Sequence, residues 1–148
     1  MKPSRPYRLL RQGNLLFLRA SIGAHGGNIV NLRLLLDTGA SYTMLPVEAL
    51  EAVGCDLRHP LREVDILTAN GTITLPMVRV PWFHCLGEKV EQWPVLAHTL
   101  PLGTRAFANG LLGMDFLSRF RATIYIGRDE IGLEGEPEAT ASRSDFVR

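Results

Sequence analysis

The fold of this chain is decided by one stretch of its sequence, Leu34-Leu35-Leu36-Asp37-Thr38-Gly39-Ala40-Ser41. An apolar run typical of a buried strand leads directly into an aspartate, which small and turn-forming residues follow. Because burying an unpaired charge is costly, a carboxylate delivered by a buried strand normally has a partner or a chemical task. The triplet Asp37-Thr38-Gly39 occurs only once in the sequence, and that number bears on the quaternary structure.

The composition is that of one ordinary globular domain. The chain has 148 residues, of which 46% are hydrophobic and 21% are charged, so it can bury a sizeable core. The formal net charge is +1 and the basic residues are scattered, so we expect no nucleic-acid partner. The apolar stretches are short and interrupted by arginines, so we expect no membrane partner either.

The sequence also gives an expectation for the cellular compartment. The first residues lack the apolar segment and the small-residue cleavage site of a signal peptide, and we therefore expect a cytoplasmic protein. The two cysteines, Cys55 and Cys85, are compatible with reduced thiols in that compartment, and a single disulfide between them is the alternative.

Hydrophobic patterning predicts a mostly β chain with two short helices. Apolar runs separated by turn-forming residues predict four antiparallel strand pairs, within 14–36, 64–80, 82–98 and 122–133. The pair within 64–80 turns at Asn70-Gly71, the strongest short-range signal for a two-residue hairpin turn. Short helices are predicted at 47–53, with Pro46 at the first helical position, and at 114–120.

The same patterning divides the chain into three parts. Residues 1–13 are predicted to be an N-terminal extension and residues 14–133 a single domain. Residues 134–148 are polar and are predicted to be a disordered tail.

Three segments carry a resemblance to a known family. Residues 34–41 resemble the active-site motif of the retropepsin-like aspartic proteases, and Leu111-Leu112-Gly113 resembles that family's second signature. Between them, residues 68–73 fall where the family places its flap, a hairpin over the active site. The resemblance covers residues 14–133 and is closest to bacterial single-domain members, which share the pattern at residues 112–117.

This resemblance implies an all-β fold, a retropepsin-like closed barrel of hairpins, and an aspartic endopeptidase. Hydrolysis by water needs a base to take a proton from water and an acid to protonate the departing amide. Two carboxylates that share one proton serve both purposes, since neighbouring like charges cannot both ionise. The implied catalytic residues are Asp37, Thr38 and Gly39, and no cofactor or metal is expected.

The single triplet implies a homodimer. None of the other aspartates is followed by Thr-Gly, and the chain is too short for a two-lobed arrangement. We therefore expect one Asp37 from each subunit on a two-fold axis. A peptide or protein substrate is expected to contact residues beside the aspartate and at the flap tip, namely Ala40, Ser41, Ala69, Asn70 and Gly71.

Two features depart from the viral relatives. Those proteins pair an acidic residue after the first motif with an arginine after the second, whereas this chain has Ser41 and Met114 there. The polar tail also offers little apolar material for interleaved terminal strands. We therefore expect a dimer interface that uses another segment, such as residues 122–126 or the N-terminal segment, or one that is weak and regulated.

Other interpretations stand beside this one. Asp37 could cap a structural turn, or the fold could serve as a dimeric peptide-binding module without hydrolysis. Cys55 and His59 could bind zinc if the first helix extended to them, although Gly54 and Pro60 favour a loop there. The two tryptophans are expected in the core more often than in a peptide groove.

Overall fold

The structure is a computed structural model that describes residues 5–99 and 109–135. This part of the chain contains eleven strands and two short α-helices. The strands are β1 (Tyr7–Arg8), β2 (Leu10–Gln12), β3 (Leu15–Gly23), β4 (Ile29–Leu36), β5 (Met44–Pro46), β6 (Arg62–Thr68), β7 (Gly71–Cys85), β8 (Glu88–His98), β9 (Gly110–Leu112), β10 (Thr123–Tyr125) and β11 (Glu130–Gly132). The helices are α1 (Val47–Ala52) and α2 (Met114–Arg119), and a 3-10 turn spans Ile126–Arg128.

The strands form two sheets. The larger sheet has the order β2-β3-β4-β9-β5-β8-β7-β6, and an additional pairing joins β3 to β7. The smaller sheet has the order β1-β11-β10. In the larger sheet, β4 and β9 run parallel with Leu36 opposite Leu112, so the ends of the two signature segments lie side by side.

The mostly β prediction is confirmed, and the structure corrects it in three places. Thr68 pairs with Gly71, so the hairpin turns at Ala69-Asn70, one residue earlier than predicted. Gly71 begins the return strand with φ +112°, a conformation that suits glycine. β7 runs unbroken through Pro81, where two separate strands were predicted. Pro46, which was predicted at the first helical position, is the last residue of β5, and α1 begins at Val47.

Residues 7–12 of the predicted N-terminal extension are part of the folded structure. β1 pairs with β11, and β2 pairs with β3, within the segment predicted to be an extension. Leu9 between them is buried against the main core. Of the predicted tail, residues 136–148 lie outside the described residues.

Two hydrophobic clusters form the core. The larger one contains an aromatic group in which Phe83 and Trp93 have ring centroids 4.7 Å apart, and Phe116 lies 5.8 Å from both. Trp93 therefore lies in the core, as expected. The smaller cluster holds side chains from β6, β7 and β8 and packs against Tyr42 and Met44. This packing links the hairpin to the segment that follows Asp37.

None of the described helices is long and apolar enough to cross a membrane.

Candidate active site

Asp37 lies where β4 ends, beside the second signature. Its backbone N–H donates to the carbonyl of Leu112 at 3.0 Å, which continues the parallel pairing of β4 and β9. The apolar runs of both strands are packed in the core, so the aspartate is carried to the edge of the domain by a rigid element. Asp37 is half-buried, whereas Thr38 and Gly39 are exposed.

The carboxylate of Asp37 is oriented by its own loop. The Gly39 N–H donates to Asp37 Oδ1 at 2.9 Å. The Ala40 N–H donates to the Asp37 carbonyl at 3.2 Å, which closes a tight turn. Within the described residues, no cationic side chain forms an ion pair with this carboxylate, so its side chain remains available for chemistry.

Backbone hydrogen bonds tie the loop to the start of α2. The Met114 N–H donates to the Ala40 carbonyl at 2.8 Å, and the Asp115 N–H donates to the Ser41 carbonyl at 3.2 Å. These are the positions at which the viral ion pair is missing. Main-chain contacts therefore join the two signatures here. They also give acceptors to two N–H groups at the start of α2 that would otherwise be unsatisfied.

Asp115 and Thr43 make further contacts that the sequence analysis did not identify. The Thr43 N–H donates to Asp115 Oδ2 at 3.0 Å, and the Thr43 hydroxyl donates to Asp115 Oδ1 at 2.9 Å. The Phe116 N–H donates to Asp115 Oδ1 at 2.8 Å. A polar Thr43 immediately before the apolar Met44-Leu45 was the available signal, but its partner lies 72 residues away.

The pKa of Asp115 is raised by burial, which disfavours the charged form. Hydrogen bonds from Thr43 and Phe116 oppose this effect and favour the carboxylate. Desolvation thus disfavours the charged form of Asp115, and three hydrogen-bond donors offset part of that free-energy cost.

Gly113 allows the two signatures to approach closely. A Cβ atom at this position would lie 2.7 Å from the carbonyl carbon and oxygen of Tyr42 and 2.9 Å from the carbonyl oxygen of Ala40. All three neighbours are backbone atoms that cannot rotate away. Glycine is therefore required here because a side chain has no room. Its backbone conformation does not require glycine, because a φ of −103° is open to any residue.

Comparison with known proteins agrees with this geometry. A family model described as "Aspartyl protease" matches residues 20–116, which include Asp37, Gly113 and Asp115. The chain belongs to the aspartyl protease family. Members of this family are peptidases.

The fold has a counterpart among solved structures. The crystal structure of a retropepsin-like aspartic protease from Rickettsia conorii matches with a TM-score of 0.64 and 23% sequence identity, covering 90% of this chain and 95% of that one. At this identity the match describes the fold. A comparison with curated protein sequences found no significant match.

The hairpin of β6 and β7, where the flap was predicted, ends in three exposed residues, Ala69, Asn70 and Gly71. The Thr68 hydroxyl donates to the Gly71 carbonyl at 2.7 Å, and the Asn70 N–H donates to the Thr68 hydroxyl at 3.2 Å. These bonds stay within the hairpin. Leu67, next to the tip, is 83% exposed, which is a large unpartnered apolar surface for a strand residue.

A cavity of about 530 Å³ lies beside the loop that follows Asp37 and the base of the hairpin of β6 and β7. Tyr42 and Asp115 line one side, and residues of β6, β7 and β8 line the other. Arg62 donates to the Tyr42 hydroxyl at 3.1 Å across its mouth. Tyr42 follows the predicted substrate-binding residue Ser41, and it packs against the smaller hydrophobic cluster.

Cys55 and His59, the ligands of the alternative zinc site, each bond to another protein group. His59 Nδ1 lies 2.8 Å from Asp56 Oδ2, and the Cys55 thiol donates to the Arg79 carbonyl at 3.4 Å. The hydrogen bonds from His59 and the Arg58 backbone lower the pKa of Asp56 to about 2. Within residues 5–99 and 109–135, no group of three metal-binding side chains occurs, and Cys55 and Cys85 are both free thiols.

Proposed function

We propose that this chain is a homodimeric aspartic endopeptidase in which two Asp37 residues, one from each subunit, activate the attacking water. The observation that carries the proposal is the placement of Asp37. It lies at the end of a buried strand, its carboxylate is oriented by the Gly39 amide, and the residues beside it are exposed. The exposed Thr38 and Gly39 leave this loop accessible to a second copy of the chain.

The chemistry follows from sharing one proton between the two carboxylates. The ionised Asp37 takes a proton from water as the oxygen of that water attacks the peptide carbonyl carbon. The protonated Asp37 of the other subunit supplies its proton during the reaction, and the amide nitrogen is protonated as the C–N bond breaks. The pair titrates as a unit, so its two apparent pKa values belong to the dimer.

Substrate binding is proposed between the catalytic loop and the flap. An extended peptide would lie against Ala40 and Ser41 and beneath Ala69, Asn70 and Gly71. The small Ala40 leaves room for the peptide backbone. The exposed Leu67 supports a role for the hairpin in covering a ligand or contacting the second flap, since large exposed apolar surfaces mark interaction sites.

Closure of the barrel and dimerisation through the smaller sheet are also proposed. The pairing of β3 with β7 supports a closed barrel, because it returns the large sheet onto itself. β10 forms an edge of the smaller sheet, and the adjacent Ile126 is 65% exposed. A free strand edge with a neighbouring exposed apolar side chain is suited to pairing with another copy. The cytoplasmic location stays a prediction from the sequence.

The test is cleavage of a library of unstructured peptides from acidic to neutral pH, measured together with the oligomeric state. We expect the wild-type dimer to cleave, and the Asp37→Asn variant to form the same dimer without cleaving. Glu48→Gln removes an exposed carboxylate on α1 and should cleave like the wild type. A wild-type dimer that binds these peptides without cleaving them would support the binding-module alternative, and cleavage by Asp37→Asn would refute the proposed mechanism.

A further inference from the structure

We infer that Thr43 and Asp115 form a clamp that positions the Asp37 loop for catalysis. The inference rests on the proposed function, because it assigns positioning residues to that reaction. We use the name Thr43–Asp115 clamp for these two side chains and the hydrogen bonds between them.

Hydrogen bonds to the polar atoms of both side chains fix the geometry of the clamp. The carboxylate of Asp115 accepts the Thr43 N–H, the Thr43 hydroxyl and the Phe116 N–H. The Thr43 hydroxyl, having donated its only proton to Asp115, accepts the Gly113 N–H at 3.2 Å. Thr43 is completely buried, so its own polar atoms are shielded from water. A rotation of either side chain would leave a buried donor unsatisfied, which is costly.

The clamp closes the far end of the catalytic loop. At the near end, the Asp37 N–H is bonded to the Leu112 carbonyl, and at the far end Thr43 is bonded to Asp115. Between these ends, the carbonyls of Ala40 and Ser41 accept N–H groups from the start of α2. The loop is therefore held at both ends by the segment 112–115, and it cannot shift along that segment without breaking several bonds together.

The clamp also connects the loop to the larger sheet. The Thr43 carbonyl accepts the Leu96 N–H at 3.0 Å, and Leu96 is a fully buried residue of β8. A displacement of Thr43 would thus be resisted by the core as well as by α2. Catalytic groups need such support, since errors of about 1 Å in placement can cost roughly 100-fold in rate.

Asp115 is a partly buried carboxylate, and placing a charge there costs free energy, which argues for a specific role. Arg62 and Arg79 line the same cavity as Asp115, yet in the described part of the chain neither forms an ion pair with it. The carboxylate is held by hydrogen bonds from the loop and from α2 instead. Ser41 and Met114 stand at the positions of the viral ion pair, and the clamp provides a side-chain contact between the end of the Asp37 loop and the start of α2.

The test compares Thr43→Val, which removes the hydroxyl and keeps the shape, with Thr43→Ser, which keeps the hydroxyl. We expect Thr43→Val and Asp115→Asn each to lower kcat by roughly 10- to 100-fold with KM within about two-fold of the wild type. Thr43→Ser should retain most of kcat. The Thr43→Val/Asp115→Asn double variant should lose little more than the worse single variant, because both changes break one unit.

Hydrogen exchange provides a readout that does not depend on hydrolysis. In Asp115→Asn we expect the amide of Asp37 to exchange at least about ten-fold faster, while the amides of α1 keep their wild-type rates. This measurement needs only folded protein, and the milder Asp115→Asn and Thr43→Ser variants keep the test available if Thr43→Val does not fold.

The possible failures are distinguishable. A lower melting temperature with wild-type kcat per folded dimer and unchanged exchange at Asp37 would show that the pair is merely structural, and the inference would be overturned. Activity retained in Asp37→Asn would overturn the proposed function instead. In that case, faster exchange at Asp37 in Asp115→Asn would still support the clamp as the device that holds this loop.

Discussion

Replacing Gly113 by alanine should damage both the fold and the active site. The added Cβ would lie 2.7 Å from two backbone atoms of Tyr42 and 2.9 Å from the carbonyl oxygen of Ala40. Since no side-chain rotation can relieve these contacts, either the catalytic loop or the start of α2 must move. The Gly113 N–H bond to the Thr43 hydroxyl would be disturbed by the same movement.

The magnitude follows from the cost of overpacking. Such a change costs roughly 3 kcal/mol, at the upper end of the usual range because the neighbours are backbone. For a domain of this size, each kcal/mol lowers the melting temperature by roughly 2–4 °C, so we expect Tm to fall by roughly 6–12 °C. Movement of the Asp37 loop should also lower kcat by roughly 100-fold.

Calorimetry and peptide cleavage at 25 °C, where the variant is still folded, measure the two effects separately. Gly127→Ala is the matched control, because a Cβ there meets nothing within 4 Å, and its stability should stay within about 1 kcal/mol of the wild type. If Gly113→Ala kept both the wild-type Tm and the wild-type kcat, the close packing of the two signatures would be refuted.

Three further changes have defined outcomes. Gly71→Val should raise KM several-fold with less effect on kcat, because a β-branched residue is strained at φ +112° and would distort the flap tip. A wild-type KM in this variant would argue against a substrate role for that tip. Burial raises the pKa of Asp115, so its contribution to stability should be largest below its ordinary pKa of about 4 and should decline as pH rises through the raised value. Urea unfolding between these limits should show that decline in the wild type and less of it in Asp115→Asn, whereas parallel curves would contradict it. Burial raises the pKa of both thiols, Cys55 and Cys85. A thiol reagent near pH 8 should therefore modify the half-exposed Cys55 slowly and the buried Cys85 only after unfolding, which mass spectrometry can follow. Rapid modification of Cys85 in the native protein would show that this part of the core opens.

The sequence predicted the features that depend on local patterns. The apolar run before Asp37 and the residues Leu111-Leu112-Gly113 were each recognisable alone, and the structure pairs them in parallel. The Asn-Gly signal found the hairpin but placed its turn one residue late, because Gly71 is used for its conformation at the start of the return strand.

Long-range contacts account for what the sequence missed. Thr43 and Asp115 are 72 residues apart, and nothing in either local pattern identifies the other as its partner. Leu9 lies in a segment too short and polar to suggest a core residue, yet two strand pairings bring it against the main cluster. Similarly, the cavity that Tyr42 lines is formed with residues of β6, β7 and β8 that are distant in the sequence.

Mixing wild-type and Asp37→Asn subunits shows whether one active site needs two Asp37 residues. Wild-type and Asp37→Asn chains are refolded together in varying proportions, and cleavage is measured at constant total protein. Random pairing of equal amounts leaves about a quarter of the dimers with two intact aspartates, so we predict activity to fall with the square of the wild-type fraction. A linear fall, with about half of the activity left at equal amounts, would show that each chain works alone and would contradict the shared active site.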